Sequence, residues 1–149
     1  KMYLISACLC GVNCKYNGLN NLNDKCLELL RKGEALLVCP EQLGGLNTPR
    51  IPSEILGNAK DIIELNKGKV INKEGKDVTK EFLKGAKEAL KIAKEANIKK
   101  AILKESSPSC GSNFVYDGSF TGNKIKGKGI TAYLLEKEGI EIISEKDLD

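Results

Sequence analysis

The chain of 149 residues contains no histidine, so any catalytic or metal-binding scheme must be built from its six cysteines and from oxygen or cationic side chains. No stretch approaches the roughly 18 consecutive apolar residues needed to span a bilayer. The opening, KMYLISACLCG, has one basic residue and too short an apolar run for a secretion signal, so the expected location is the cytoplasm, with no membrane partner. Neither charge sign dominates: 24 Lys and Arg against 20 Asp and Glu leave a formal +4, mostly lysine interspersed with glutamate along helical stretches. That is a solvated surface rather than the continuous basic face a nucleic acid demands, and no nucleic-acid partner is expected. There is no internal repeat and no low-complexity tract. Gly44-Gly45 and YDGSFTGNKIKGKG are too irregular for a phosphate-binding loop, which excludes a nucleoside-triphosphate site; both are expected to form tight turns and lid material.

What is present fits one domain over residues 1–149, long enough to bury a single core without staples. Short apolar, β-branched-rich runs recur at 2–6 (MYLIS), 35–39 (ALLVC), 100–104 (KAILK) and 140–144 (IEIIS), each bounded by turn residues, and predict buried strands. A first helix is expected to start near Asn23 or Asp24, to place Leu22, Cys26, Leu29 and Leu30 on one face, and to end at Gly33. The longest helical pattern runs from about Asp77 to Asn97, with Val78, Phe82, Leu83, Ala86, Ala89, Leu90 and Ala93 on one side. A last helix is expected from about Gly129 to Glu138, stopped by Gly139. Alternating strands and helices predict an α/β fold: an open, mostly parallel sheet with helices on both faces, a Rossmann-like three-layer arrangement. Residues 40–60 hold three of the four prolines and show little periodicity, so a long ordered loop is expected there. Residues 62–73 alternate around Asn-Lys-Gly and are expected to form a hairpin.

Three cysteines share one context. Cys8 follows the first expected strand, Cys39 ends the second, and Cys110 lies just beyond the third. Ligands of open parallel sheets bind outside the carboxyl ends of the strands, so these thiols, far apart in sequence, are candidates to meet at one crevice. Without histidine they suit a soft centre, zinc or an iron–sulfur cluster; unligated cysteines that merely cap strands are the alternative. Cys8, Cys10 and Cys14 are close enough in sequence for a local zinc site or redox pair, although their spacing matches no strong zinc pattern. Cys26 belongs to the core face of the first helix. Glu41, two residues after Cys39, is placed to act as general base toward whatever Cys39 binds, and equally well to cap the loop as a turn residue. Ser107 and Ser109 offer hydroxyls that donate a proton or orient a substrate, although Ser-Pro-Ser is also ordinary turn material; Arg50, between prolines in TPRIP, offers a planar fork for an anion or a carbonyl, with a structural salt bridge as the alternative that slightly outweighs it.

Six stretches carry a resemblance: SACLCGVNCKYNG (6–18), VCPEQLGGLNTPRIPSEI (38–55), DVTKEFLKGA (77–86), AILKESSPSCGS (101–112), YDGSFTG (116–122) and GKGITAYLLEKEGIEI (127–142). In order and over essentially the whole chain, they resemble the short, stand-alone bacterial proteins formerly called domains of unknown function that now include the thiouracil desulfurases. The resemblance implies a [4Fe-4S] cluster held by Cys8 of SACL, Cys39 of CPE and Cys110 of SPSCG, with one iron open to the sulfur of a thiolated pyrimidine. It implies Glu41 and Ser107 as catalytic residues, while Arg50 and Ser109 are, from their own chemistry, the candidates to bind the substrate. The expected reaction converts 2- or 4-thiouracil to uracil and sulfide with no net redox change, and the expected partners are that small molecule and the cluster-assembly machinery. Two departures stand out: Cys10 takes a position apolar in many relatives, and YNG replaces the more usual YDG. Two other functions compete, sulfur chemistry on transfer RNA and a non-catalytic zinc or redox module built on Cys8, Cys10 and Cys14.

Overall fold

The computed structural model describes residues 1–148. In chain order its elements are β1 (Tyr3–Ser6), a 3-10 turn (Ala7–Cys10), α1 (Asp24–Arg31), β2 (Ala35–Val38), α2 (Pro40–Leu43), β3 (Ser53–Leu56), α3 (Ala59–Leu65) and β4 (Lys69–Asn72). There follow α4 (Thr79–Glu95), β5 (Lys100–Leu103), β6 (Phe114–Tyr116), β7 (Lys124–Lys126), α5 (Ile130–Lys137), β8 (Glu141–Ser144) and a closing 3-10 turn (Glu145–Asp147).

All four expected strands form, and they make one sheet in the order β2-β1-β5-β8 with every neighbour parallel. Alternation along the strands splits the core. Leu4, Ala101 and Leu103 face α4 and α5 through Ala89, Ala93, Ala132 and Leu135. Ile5 and Ile102 face the opposite side, where Leu9, Cys10 and Cys26 bring up the first 3-10 turn and α1. Helices therefore cover both faces, as the alternating pattern required.

The helix termini follow their capping chemistry. Asn23 caps α1 by accepting the backbone N–H groups of Lys25 and Cys26, so Leu22 falls before the helix and stands 51% exposed instead of joining its buried face. The expected span of α4 shortens at both ends. Asp77 accepts from the Thr79 N–H and hydroxyl at 2.9 and 2.6 Å, and Asn97 leaves in the left-handed conformation.

Two expectations are corrected. Residues 40–60 are no continuous loop, since α2 and β3 lie within them. Nor do residues 62–73 form a hairpin of their own: β4 pairs antiparallel with β3, with α3 as the connection. Asn58 caps α3 by accepting the Asp61 N–H, Ala59 and Ile62 bury its inner side, and Asn66 at φ 55 ends it. The Asn-Lys-Gly sequence is thus a helix exit. The stretch expected as turns and lid also contains β7, and it begins on Tyr116, the last residue of β6, with which β7 pairs antiparallel.

One close approach places the site. Glycines 44 and 85 let α2 lie directly on α4: a Cβ on Gly85 would overlap the Pro40 carbonyl, and one on Gly44 would overlap the Glu81 carbonyl. The short helix that follows Cys39 is held there by backbone against backbone.

Candidate active site

The carboxyl ends of β1, β2 and β5 open into a cavity of about 440 Å³ lined by Cys8, Cys14, Cys39 and Cys110, with Glu41, Arg50, Ser107 and Ser109 beside them. Each thiol arrives by a different device. Cys8 sits in the 3-10 turn two residues past the end of β1, Cys39 is the N-cap residue of α2 directly after β2, and Cys110 is carried by the loop leaving β5. The structure brings together all three strand-end cysteines singled out in the sequence.

It also adds a fourth. Cys14 is 2% exposed, and its carbonyl accepts from Cys39 Sγ at 3.7 Å. The pairing of the two thiols lowers the Cys39 pKa to about 7 against the contrary effect of burial, and it raises Cys14. Burial pushes Cys110 up to about 12 and also raises Cys8, which an Asn21 hydrogen bond partly offsets. No spacing rule selects Cys14; the signal was its place in the SACLCGVNC cluster.

Cys10 and Cys26 belong elsewhere. Cys10 Sγ donates to the Cys26 carbonyl at 3.4 Å in the core between the sheet and α1. A local site of Cys8, Cys10 and Cys14 is therefore not assembled. Among the described residues, no three Cys, His, Asp or Glu side chains converge closely enough to hold one metal ion. Four thiols spread around a cavity wall, in a chain without histidine, suit a soft, polynuclear centre better than a single zinc ion, whose thiolates must all lie about 2.3 Å from one point.

Beside the thiols runs a chain of polar contacts. Arg50 Nε donates to Glu41 Oε1 at 2.9 Å, and Ser109 Oγ donates to Glu41 Oε2 at 3.0 Å. Ser109 Oγ lies 3.1 Å from Ser107 Oγ and 3.7 Å from Cys110 Sγ. Of the other guanidinium N–H groups, one on Nη2 donates to the Cys14 carbonyl (2.8 Å) and those on Nη1 donate to Thr48 Oγ1 (2.9 Å) and the Asn47 carbonyl (3.2 Å). Arg50 thus ties α2 to the loop carrying Cys14, and with Glu41 it forms an ion pair of side chains only 8% and 14% exposed. Ser107 Oγ accepts the backbone N–H groups of Ser109 and Cys110, both at 3.1 Å, which shapes the turn that presents Cys110. Of the two hydroxyls, Ser109 is the one that touches Glu41. Three aromatics the motif search passed over, Tyr16, Tyr116 and Phe120, line the outer wall.

Residues 3–147 match the 2-thiouracil desulfurase family. An uncharacterized protein, YbbK of Bacillus subtilis (strain 168), is 45% identical over 148 residues, covering 99% of this chain and 98% of that protein. Among solved structures, the [4Fe-4S]-dependent thiouracil desulfidase TudS superposes with a TM-score of 0.89 at 39% identity, over 99% of this chain and 93% of that one. Fold, motifs and whole-length similarity agree, and the chain belongs to the 2-thiouracil desulfurase family.

Proposed function

We propose that this protein removes sulfur from a thiolated pyrimidine base, converting 2- or 4-thiouracil and water to uracil and hydrogen sulfide, with a [4Fe-4S] cluster held by Cys8, Cys39 and Cys110. The observation that carries the reading is the meeting, at the carboxyl ends of three parallel strands, of these thiols with a carboxylate bonded to a hydroxyl. Family membership and the cluster named for TudS support it. The all-thiol donor set fits the cluster, and Cys14 stays outside the ligand set as the hydrogen-bond partner of Cys39.

Bound there, such a cluster supplies an open iron that acts as a Lewis acid toward the thiocarbonyl sulfur. Glu41 takes a proton from the water that attacks the thiocarbonyl carbon, the role suited to a carboxylate fixed at the cavity wall. Arg50 keeps that carboxylate in one orientation through a charge-assisted bond. Ser109, between Glu41 and Ser107, passes that proton toward the leaving sulfur, and the second proton comes from the hydroxyl added to the carbon as its C=O forms and the C–S bond breaks, so that two protons and the sulfur depart as hydrogen sulfide and no electrons change hands. Tyr16, Tyr116 and Phe120 offer apolar faces against which a pyrimidine packs.

The test is anaerobic reconstitution with iron and sulfide, followed by sulfide release from 2-thiouracil and 4-thiouracil. The expected result is stoichiometric uracil and sulfide from one of the two. A fully loaded protein that releases sulfide from neither overturns the substrate assignment, and iron content unchanged in Cys39→Ala overturns the ligand set.

A further inference from the structure

The loop that presents Cys110 is organised by a buried carboxylate the motif reading passed over. Glu105 is 5% exposed, and among the described residues its carboxylate has no cationic partner, Lys104 pairing with Glu145 instead. A buried carboxylate without a counter-charge is costly unless its oxygens are fully hydrogen-bonded. Here they are. Oε1 accepts the backbone N–H groups of Ser106, Ser112, Asn113 and Phe114 at 3.0 to 3.1 Å. Oε2 accepts Ser112 Oγ at 3.2 Å and Asn113 Nδ2 at 2.8 Å.

These donors come from both ends of one loop. Gathering residues 112–114 back onto residue 105 closes a ring, and the residues inside it are Ser107, Ser109 and Cys110 with their connecting backbone. The closure holds Ser106 in the left-handed region at φ 67, which a non-glycine residue adopts only when its surroundings enforce it. The carbonyls of the same loop point outward to α5. Pro108 accepts from Ile130, Ser109 from Thr131 and Ala132, and Gly111 from Gly129, while Lys128 Nζ donates to the Ser112 carbonyl at 2.8 Å. Glu105 serves the N–H groups at the two ends of the loop, Ser107 Oγ those of Ser109 and Cys110, and the entry to α5 serves the carbonyls of Pro108, Ser109 and Gly111.

We propose that Glu105 is a positioning residue that pre-forms the Cys110 loop, fixing the thiol and the Ser107 and Ser109 hydroxyls before any cofactor is bound. The part of this that concerns cluster retention rests on the function proposed above; the part that concerns loop order does not. A glutamine amide loses the charge, and its NH₂ meets either the N–H donors at Oε1 or, at Oε2, the Ser112 and Asn113 side chains, which must turn round to accept it.

Two readouts on Glu105→Gln test this. In the cofactor-free protein, hydrogen exchange at the amides of 106 and 112–114 is expected to accelerate while β1 and β5 keep wild-type rates. In the reconstituted protein, iron loss to a chelator is expected to speed up about 10- to 100-fold, the range for losing a partner that orients a metal ligand, with an altered visible spectrum. Should this variant not fold, Asn113→Ala, which removes one donor and leaves the carboxylate, is read the same way with a smaller expected effect. Wild-type exchange in the loop of the folded variant overturns the proposal. Faster exchange with unchanged iron loss and spectrum overturns its extension to the ligand. If wild-type protein itself takes up no cluster, the ligand reading fails and hydrogen exchange alone decides the role of Glu105.

Discussion

Cys8 and Cys10 are two residues apart in one 3-10 turn, yet the first lines the cavity and the second lies in the core against α1. The same division separates the six thiols into a site group of Cys8, Cys14, Cys39 and Cys110 and a core pair of Cys10 and Cys26. Neither position along the chain nor the preceding strand sorts them, since Cys8, Cys10 and Cys14 all follow β1; the side to which each thiol turns does. A cysteine at the carboxyl end of a parallel strand looks into a crevice, whereas one that turns back under the sheet becomes a small apolar residue.

The sharpest way to break this division is to truncate both groups. Replacing Cys8, Cys39 or Cys110 by alanine is expected to reduce iron retention and sulfide release to background. Cys10→Ala and Cys26→Ala are expected to keep both and to cost only about 1 kcal/mol of stability. Iron analysis beside thermal melts checks the contrast, and a core variant that loses iron would merge the two groups.

Within the site group, ligation and proton transfer come apart at Glu41. Glu41→Gln is expected to retain iron while kcat falls by about 10²- to 10⁴-fold, as for loss of a general base. Ser109→Ala is expected to fall less, since the carboxylate and its Arg50 partner remain. Steady-state kinetics on loaded protein, normalised to iron, measures both.

Gly85 tests whether the backbone contact places the carboxylate. Gly85→Ala drives a methyl into the Pro40 carbonyl and is expected to destabilise the protein by about 1 to 3 kcal/mol, with activity lowered more than iron content. Denaturant unfolding and kinetics on the same preparation separate the two effects.

The last contrast is read in acid. Burial alone would raise the Glu105 pKa, but the hydrogen bonds from Asn113, Phe114 and Ser106 outweigh it and bring the value from 4.5 down to about 2. With the folded pKa below the unfolded one, the unfolded chain binds more protons, so stability rises with pH. The contribution, of order 3 kcal/mol, is fully present above pH ~5 and disappears as pH falls through ~2. Unfolding midpoints of the cofactor-free protein between those limits should slope downward in the wild type and more weakly in Glu105→Gln.

The four sheet strands were legible because each is a short β-branched run closed by turn residues, and α4 because its apolar stripe repeats over many turns. From their order followed the parallel sheet, and from the sheet the meeting of Cys8, Cys39 and Cys110. The seven-residue α3 was not legible, since it buries little more than Ala59 and Ile62 and its Leu65 is 58% exposed, too little contrast for a helical stripe. α2 escaped because its four residues owe their place to Gly44 and Gly85 and not to any pattern of their own. Cys14 and Glu105 escaped for a related reason: each acts through partners that folding supplies, the Cys39 sulfur for one and backbone N–H groups for the other.

The contact between α2 and α4 also bears on how the longest helix is composed. Glycine in a helix interior costs about 1 kcal/mol relative to alanine, and Gly85 lies inside the 17 residues of α4. The helix therefore gives up intrinsic stability at the one turn where the segment after β2 crosses it. Substitutions selected for thermal resistance would be drawn to that glycine, and they would meet the backbone that carries Cys39 and Glu41. In this fold the turn easiest to strengthen by helix propensity is the turn that the site leaves no room to change.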